Sequence, residues 1–312
     1  MLTETKPQTY FNEGRPFTRS QAADLGLRAA ELREAVRWGA LRRVLQSVYV
    51  DEGVPDSRDL RAASLHLVMP AKAVLFGTSA AWVLGIDAFQ PAERFVLTPE
   101  CVVPHGTGRC RRAGVHTVEG AIEPADVTEI DGLRTTVPER TAVDLLRRLR
   151  RPFALSSADA LAQAGFVSAD GLQHRIDGLR GYPGIVQARQ LARWVEPLTE
   201  SPGESWTRLR LLDAGFPRPV AQHWVLGRDG QRRYRLDIAY PHVLVGCEYD
   251  GVLDHSDGAD VRADTSRRAW LRDVRRWRLM ILHKSDVLGH DPWLESEVGR
   301  LLGMEPVLPR RW

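Results

Sequence analysis

The sequence predicts a protein that is α+β overall, with an α/β arrangement in its last third, and three observations carry this. Two short apolar runs at 236–240 and 243–247 flank Pro241 and His242, the pattern of two strands joined by a tight turn. The second run is apolar without alternation, as in a strand buried on both faces. Helical periodicities at 28–38, 60–69, 79–84, 153–164, 169–179, 183–194 and 204–214 alternate with short strands and Gly/Pro punctuation. At 312 residues the chain is long enough for two or three domains, each burying its own core. The expected divisions are 1–55, 56–200 and 201–312.

Composition narrows the class. Hydrophobic residues at 43% and charged residues at 27% describe an ordinary globular protein. The formal net charge of +3 does not by itself announce nucleic-acid binding. Lysine is confined to Lys6, Lys72 and Lys284, so the positive charge is almost all arginine, whose planar fork recognises phosphate. A GC-rich genome favours arginine equally well. Three cysteines, Cys101, Cys110 and Cys247, make no framework of bridges and fit a reducing compartment. Residues 1–12 are polar and lack the apolar core of a signal peptide. No apolar run approaches the ~18 residues of a membrane span. A cytoplasmic protein with no membrane partner is expected.

Near the N-terminus, 17–26 reads as a short helix capped at Thr18 or Ser20 and stopped at Gly26. The helix over 28–38 places Ala29, Leu32 and Val36 on one face and ends at Gly39, and 41–50 follows as a hairpin or wing. Two short helices joined through glycine suggest a helix-turn-helix. The stretch from Phe17, Thr18, Arg19, Ser20 and Gln21 through Gly39, Ala40, Leu41, Arg42, Arg43 and Val44 to Val48, Tyr49 and Val50 resembles the N-terminal winged helix-turn-helix of AbiEi-type antitoxins. Those proteins are the autorepressors of type IV toxin–antitoxin systems. The resemblance implies a second helix in the DNA major groove. Arg28, Arg33 and Arg37 would reach DNA from that helix, Arg42 and Arg43 from the wing, and a cognate toxin is an implied partner.

In the middle region, 95–98 and 114–119 read as strands. Between them Cys101, His105, Cys110 and His116 supply zinc-ligand types, but without the close ligand pairs of a zinc finger. A polar loop is the expectation there. Residues 133–146 resemble the middle region of AbiEi-like proteins, with Pro138 at a helix start and Arg140 and Asp144 spaced for an i, i+4 pair. Residues 197–203 read as a linker.

The last third carries the chemistry. Glu204 opens a helix, Asp237 lies in the first strand of the central hairpin, and Glu248 and Asp250 end the second. Buried carboxylates need a partner, and three at one end of a hairpin suit a hard divalent cation. Arg233, Arg235, Arg267, Arg268 and Arg272 are also at hand to neutralise them. A helix over 261–274 exposes Arg262, Arg267, Arg268 and Arg272, and a buried strand over 278–283 follows.

Asp237, Glu248, Asp250, Gly251 and His255, with Ser201, Pro202, Gly203 and Glu204 before them, resemble the PD-(D/E)XK nucleases, most of all the very-short-patch repair branch. One departure matters: Asp250 stands where the motif lysine belongs. The repair-type branch uses histidine instead, which His255 supplies, with Lys284 a weaker candidate. The resemblance implies a restriction-endonuclease-like α/β/α domain with Asp237, Glu248 and Asp250 on Mg²⁺ or Mn²⁺. It makes His255 the general base and Glu204 a positioning carboxylate. Arg267, Arg268 and Arg272 would grip DNA phosphates, and a homodimer would let two sites cut a duplex. The leading expectation is a metal-dependent DNA endonuclease guided by a winged helix. The alternatives are an antitoxin-like regulator with a catalytically silent nuclease fold, and a protein-interaction adaptor.

Overall fold

The structure, a computed structural model, describes residues 10–70, 72–88, 98–108, 114–251 and 258–312. The fold is mixed α+β with three sheets among the described residues. It comprises two compact units, Met1–Asp144 and Leu145–Trp312.

The first unit opens with β1 (Phe17–Thr18), α1 (Ala29–Arg37), β2 (Leu41–Leu45) and β3 (Val48–Asp51), the strands forming an antiparallel sheet in the order β1-β3-β2. Arg28 caps α1, and the Glu31 carboxylate accepts its backbone N–H at 2.8 Å. Gly39, at φ +70°, reverses the chain after α1, as the left-handed residue beyond a helix end commonly does. Phe17, Leu32, Leu41 and Tyr49 make the small core. The helix expected over 17–26 is replaced by β1 and consecutive turns at 19–26. Phe17 and Thr18 pair with Tyr49 and Val48, so a long-range strand contact takes the backbone groups a first helical turn would need.

The unit continues with α2 (Arg58–His66), β4 (Val74–Leu75), α3 (Gly77–Val83), β5 (Glu100–Val103), β6 (His116–Glu119), β7 (Val127–Ile130) and β8 (Leu133–Thr136). Its second sheet has the order β6-β5-β4-β8-β7. Asp131 and Gly132, both at positive φ, close the β7–β8 hairpin as the two-residue turn that matches strand twist. The polar loop expected from Cys101 begins instead as strand: Cys101 is fully buried in β5, its Sγ 3.4 Å from Thr117 Oγ1. Cys110, and residues 95–97 of the expected strand, lie outside the described residues. The helix α4 (Pro138–Arg148) crosses the division between units. Its Arg140 pairs with Asp144 at 2.9 Å, as the spacing predicts, and with Asp126 at 2.6 Å.

The second unit holds α5 (Arg151–Gln163), α6 (Ala169–Asp177), α7 (Ile185–Ala192), α8 (Pro202–Asp213), β9 (Val220–Leu226), β10 (Arg232–Tyr240), β11 (Val245–Tyr249), α9 (Gly258–Ala269), β12 (Arg278–Leu282), α10 (Lys284–Leu288) and α11 (Trp293–Leu302). Its sheet has the order β12-β11-β10-β9, antiparallel except for the parallel β11–β12 pair. The second strand of the central hairpin starts at Val245, not at 243, because Pro241–Val243 form a 3₁₀ turn and Leu244 takes φ +54°. After α9 the chain passes through one π turn, Trp270–Val274, instead of continuing as α-helix.

Helix α8 is buried from Gly203 to Asp213, including Arg208 and Arg210, each 1% exposed. Such burial is tolerable only because each guanidinium meets a carboxylate and backbone carbonyls. Arg208 donates to Asp159 of α5 at 2.7 Å and to the Trp194 carbonyl at 3.0 Å. Arg210 donates to Glu295 of α11 at 2.8 Å and to the Asp291 carbonyl at 2.9 Å. Arg151 binds both oxygens of Asp213, at 2.6 and 2.7 Å. No helix among the described residues is long and apolar enough to cross a membrane.

Asp159→Ala strands the Arg208 charge and lowers unfolding free energy by about 3–5 kcal/mol in urea titrations. The double replacement Asp159→Leu with Arg208→Met costs far less. Equal losses in the single and double variants would refute the pairing argument.

Candidate functional site

Two clusters of charged side chains emerge, one in each unit. In the second, the first turn of α8 presses directly on β11: a Cβ at Gly203 would overlap the Tyr249 ring. This contact sets Glu204 beside the central hairpin. Ser201 Oγ accepts the Glu204 backbone N–H at 3.2 Å, an N-cap that starts the helix there. Glu204 is buried, and its Oε2 accepts the Glu200 N–H at 3.1 Å and Gln222 Nε2 at 2.7 Å. Asp237 on β10 accepts the Tyr249 N–H at 3.0 Å. Glu248 on β11, also buried, accepts Arg267 Nη1 at 2.6 Å and Nη2 at 2.7 Å, a bidentate pair from α9. Arg268 reaches Asp264 at 2.7 Å, Asp250 at 3.7 Å and Glu248 at 4.0 Å.

Burial pushes the Asp237 carboxyl up to about 6; the Tyr249 N–H and Arg267 oppose the rise, while the charges of Glu204 and Glu248 add to it. Burial works against the Arg267 charge, but hydrogen bonds to Glu248 outweigh it and hold the guanidinium above its usual range. The structure therefore gathers Glu204, Asp237 and Glu248, with Asp250 more exposed at the end of β11.

As placed, these groups do not fit Mg²⁺ or Mn²⁺. Both Glu248 oxygens face Arg267, and among the described residues no three His, Cys, Asp or Glu side chains are arranged to hold a metal ion. His255 lies outside the described residues. Lys284 opens α10, and His283 Nδ1 lies 3.2 Å from the Asp250 carbonyl. Of the arginines expected to neutralise the acids, Arg267 and Arg268 do so. Arg235 instead pairs with Glu200 at 2.6 Å, Arg272 with its neighbour Asp273 at 2.9 Å, and Arg233 lies over the Trp270 ring.

The first unit carries the other cluster. Arg28 is held by Glu31, with Nε 3.0 Å from Oε1, Arg37 lies 3.7 Å from Glu34, and Arg42 donates to the Val54 carbonyl at 2.7 Å. Arg33 and Arg43 differ. Together with Arg19 they line a cleft of about 240 Å³ whose other walls are Ala29, Leu32, Val36 and Tyr49. All three are exposed, and none is paired with a carboxylate among the described residues. Arg43 stacks 5.7 Å over the Tyr49 ring. Sequence reasoning missed Arg19 because it read 17–26 as helix; the β1–β3 pairing instead carries Arg19 to the hairpin, where its N–H donates to the Ser47 carbonyl at 3.0 Å.

Residues 72–193 match the AbiEi antitoxin C-terminal domain family. The chain is also 30% identical over 267 residues to two Mycobacterium tuberculosis proteins, MT2308 of strain CDC 1551 / Oshkosh and Rv2248 of strain ATCC 25618 / H37Rv, both titled uncharacterized. These alignments cover 86% of this chain and 94% of each relative. The family match contains the AbiEi-like stretch at 133–146; it includes neither the N-terminal arginine cleft nor the acids from Glu204 onward.

Asp237 sets a pH dependence with a definite sign. Its folded-state pKa of about 6 lies above the ordinary carboxylate range, so the folded chain holds the proton more tightly. Its contribution favours folding most below that range and is lost as pH rises through about 6. Wild type is predicted to gain stability between pH 7 and pH 5 relative to Asp237→Asn. A carboxyl ¹³C titration with its midpoint near 4, the unperturbed value, would contradict this.

Proposed function

We propose that this chain, which belongs to one family with the Mycobacterium tuberculosis proteins above and matches the AbiEi antitoxin C-terminal domain over 72–193, is a DNA-binding regulator of the antitoxin type. The carrying observation is that Arg19, Arg33 and Arg43 line one cleft and have no carboxylate partner among the described residues. In this reading α1 and the β1-β3-β2 sheet act as a winged helix. Helix α1 lies against the major groove, and the cleft receives backbone phosphates. A homodimer would place two such elements on a two-fold symmetric operator, and a toxin would be the protein partner that the antitoxin domain serves.

The run α8, β9, β10, β11, α9, β12 supports a restriction-endonuclease-like arrangement in the second unit, kept as a silent fold. Its acids serve as an ion-pair centre, with Arg267 supplying the positive charge they need. The grouping of Glu204, Asp237 and Glu248 favours a second reading, a DNA endonuclease, which would require Arg267 to release Glu248 and His255 to join the acids.

Binding to the DNA upstream of the chain's own coding sequence is predicted to weaken with Arg19→Ala, Arg33→Ala or Arg43→Ala. Each should lower the slope of log affinity against log salt by about one in anisotropy titrations. Arg28→Ala changes this slope less. A flat salt dependence for wild type contradicts the reading. Supercoiled plasmid is predicted to survive incubation with Mg²⁺ or Mn²⁺. Nicking by wild type and not by Asp237→Ala would favour the endonuclease instead.

A further inference from the structure

The edge of the sheet in the second unit carries a pattern that neither the acid cluster nor the N-terminal cleft explains. Among the described residues β9 is the edge strand, paired with β10 alone in that sheet. Opposed residues of an antiparallel pair share a face, and here Trp224 lies opposite Arg235 and Leu226 opposite Arg232. Arg232 and Arg235 are three apart, which would ordinarily put them on opposite faces. The register shift between Arg232 and Tyr234 absorbs one residue and returns both to the face of Trp224. Behind them, Val225 and Tyr234 turn inward against Trp270, Leu271 and Trp277.

The outward face is open. Trp224 is 39% and Leu226 42% exposed, and Arg232, Arg233 and Arg235 are exposed around them. The Arg232 and Arg235 guanidinium carbons lie 5.6 and 5.7 Å from the Trp224 ring centroid. Both guanidinium groups are thus in cation–π contact with the indole, which makes this patch cationic. Local charge is concentrated: residues 220–235 hold Arg228, Arg232, Arg233 and Arg235 against Asp229, a net +3 that equals the formal net charge of the whole chain.

We infer that this face binds single-stranded nucleic acid, a base stacking on Trp224 and an adjoining phosphate meeting Arg232, with Arg235, shared with Glu200, beside it. Arg235 already meets Glu200 at 2.6 Å, but the exposed indole and Arg232, which has no carboxylate partner among the described residues, need a partner, and charge complementarity selects a polyanion. An acidic peptide satisfies the arginines but offers nothing to the indole they flank. An unpaired base offers a plane for the indole, and its backbone offers the charge. A duplex keeps its bases stacked on one another, so the ring would be idle. The interface is distinct from the Arg19, Arg33 and Arg43 cleft and stands without it.

The test uses the full chain and a fluorescein-labelled oligo(dT) in anisotropy titrations, with oligo(U), a random duplex and poly-glutamate as competitors. Trp224→Ala is expected to weaken oligo(dT) binding on the order of tenfold, the cost of one lost base–aromatic stack, and Trp224→Phe to restore most of it. Arg232→Gln with Arg235→Gln should weaken it as well and lower the salt slope. In an Arg33→Ala background duplex binding should be impaired while the loss of oligo(dT) binding on Trp224→Ala persists, so this inference and the regulator reading fail separately. Trp224 is exposed, and circular dichroism of each variant checks that the fold survives. The inference is overturned if oligo(dT) does not bind, if Trp224→Ala binds like wild type, or if poly-glutamate competes with the same dependence on Trp224.

Discussion

Three buried arginine–carboxylate pairs around α8 set the terms for everything else in the second unit. They join residues 49, 85 and 62 positions apart, Arg208 with Asp159, Arg210 with Glu295 and Arg151 with Asp213. A guanidinium removed from water without a partner costs several kcal/mol, so α8 is held where both of its arginines are answered at once, from α5 on one side and α11 on another. Apolar packing alone would permit α8 to slide or rotate. The pairs deny it that freedom, and the T-shaped contact of Phe153 with Trp206 then fills the space between α5 and α8. Because α8 is fixed, its capped first turn is fixed, and Glu204 must lie beside the hairpin that carries Asp237 and Glu248.

That placement explains why the acid cluster looks like a metal site without being arranged as one. Like charges gathered in a half-buried space demand a compensating cation. A metal ion would meet the demand, and so does an arginine with a planar fork. Here α9 projects Arg267 onto both oxygens of Glu248 and Arg268 toward Asp264 and Asp250. Burial makes Asp237, which has no such fork, keep its proton more tightly than an ordinary carboxylate. A gathering of acids is therefore weaker grounds for catalysis than the state of the oxygens within it.

What was legible in the sequence was local. The helix over 28–38 announced itself through its apolar face and Gly39, the hairpin of the last third through its apolar runs and turn, and the Arg140–Asp144 pair through its spacing. What escaped depended on contacts distant along the chain. Phe17 and Thr18 read as a helix start because nothing nearby reveals that β3 claims them. Cys101 sat in a stretch rich in polar residues, and its pairings with Leu75 and Thr117, distant along the chain, make it strand. The buried pairing of Arg208 and Arg210 was not legible in the sequence, since their partners lie on other helices. The acids were found, but their pairing with Arg267 rather than with a metal depends on how the chain returns after β11. Arg19 was hidden by the same misreading that hid β1.

One physical claim is central to the first unit: Arg19, Arg33 and Arg43, which line one cleft and have no carboxylate partner among the described residues, are the arginines that meet nucleic acid. Arg28 and Arg37 are already engaged by Glu31 and Glu34, and Arg42 by the Val54 carbonyl. Hydroxyl-radical footprinting of the DNA upstream of the chain's own coding sequence reads this directly, because it reports which backbone positions the protein covers. With wild type, short protected tracts on both strands are predicted; a variant with Arg19, Arg33 and Arg43 all replaced by alanine should lose them, and one with Arg28 and Arg37 replaced should keep them. Protection unchanged in the triple variant, or none with wild type, would contradict the account.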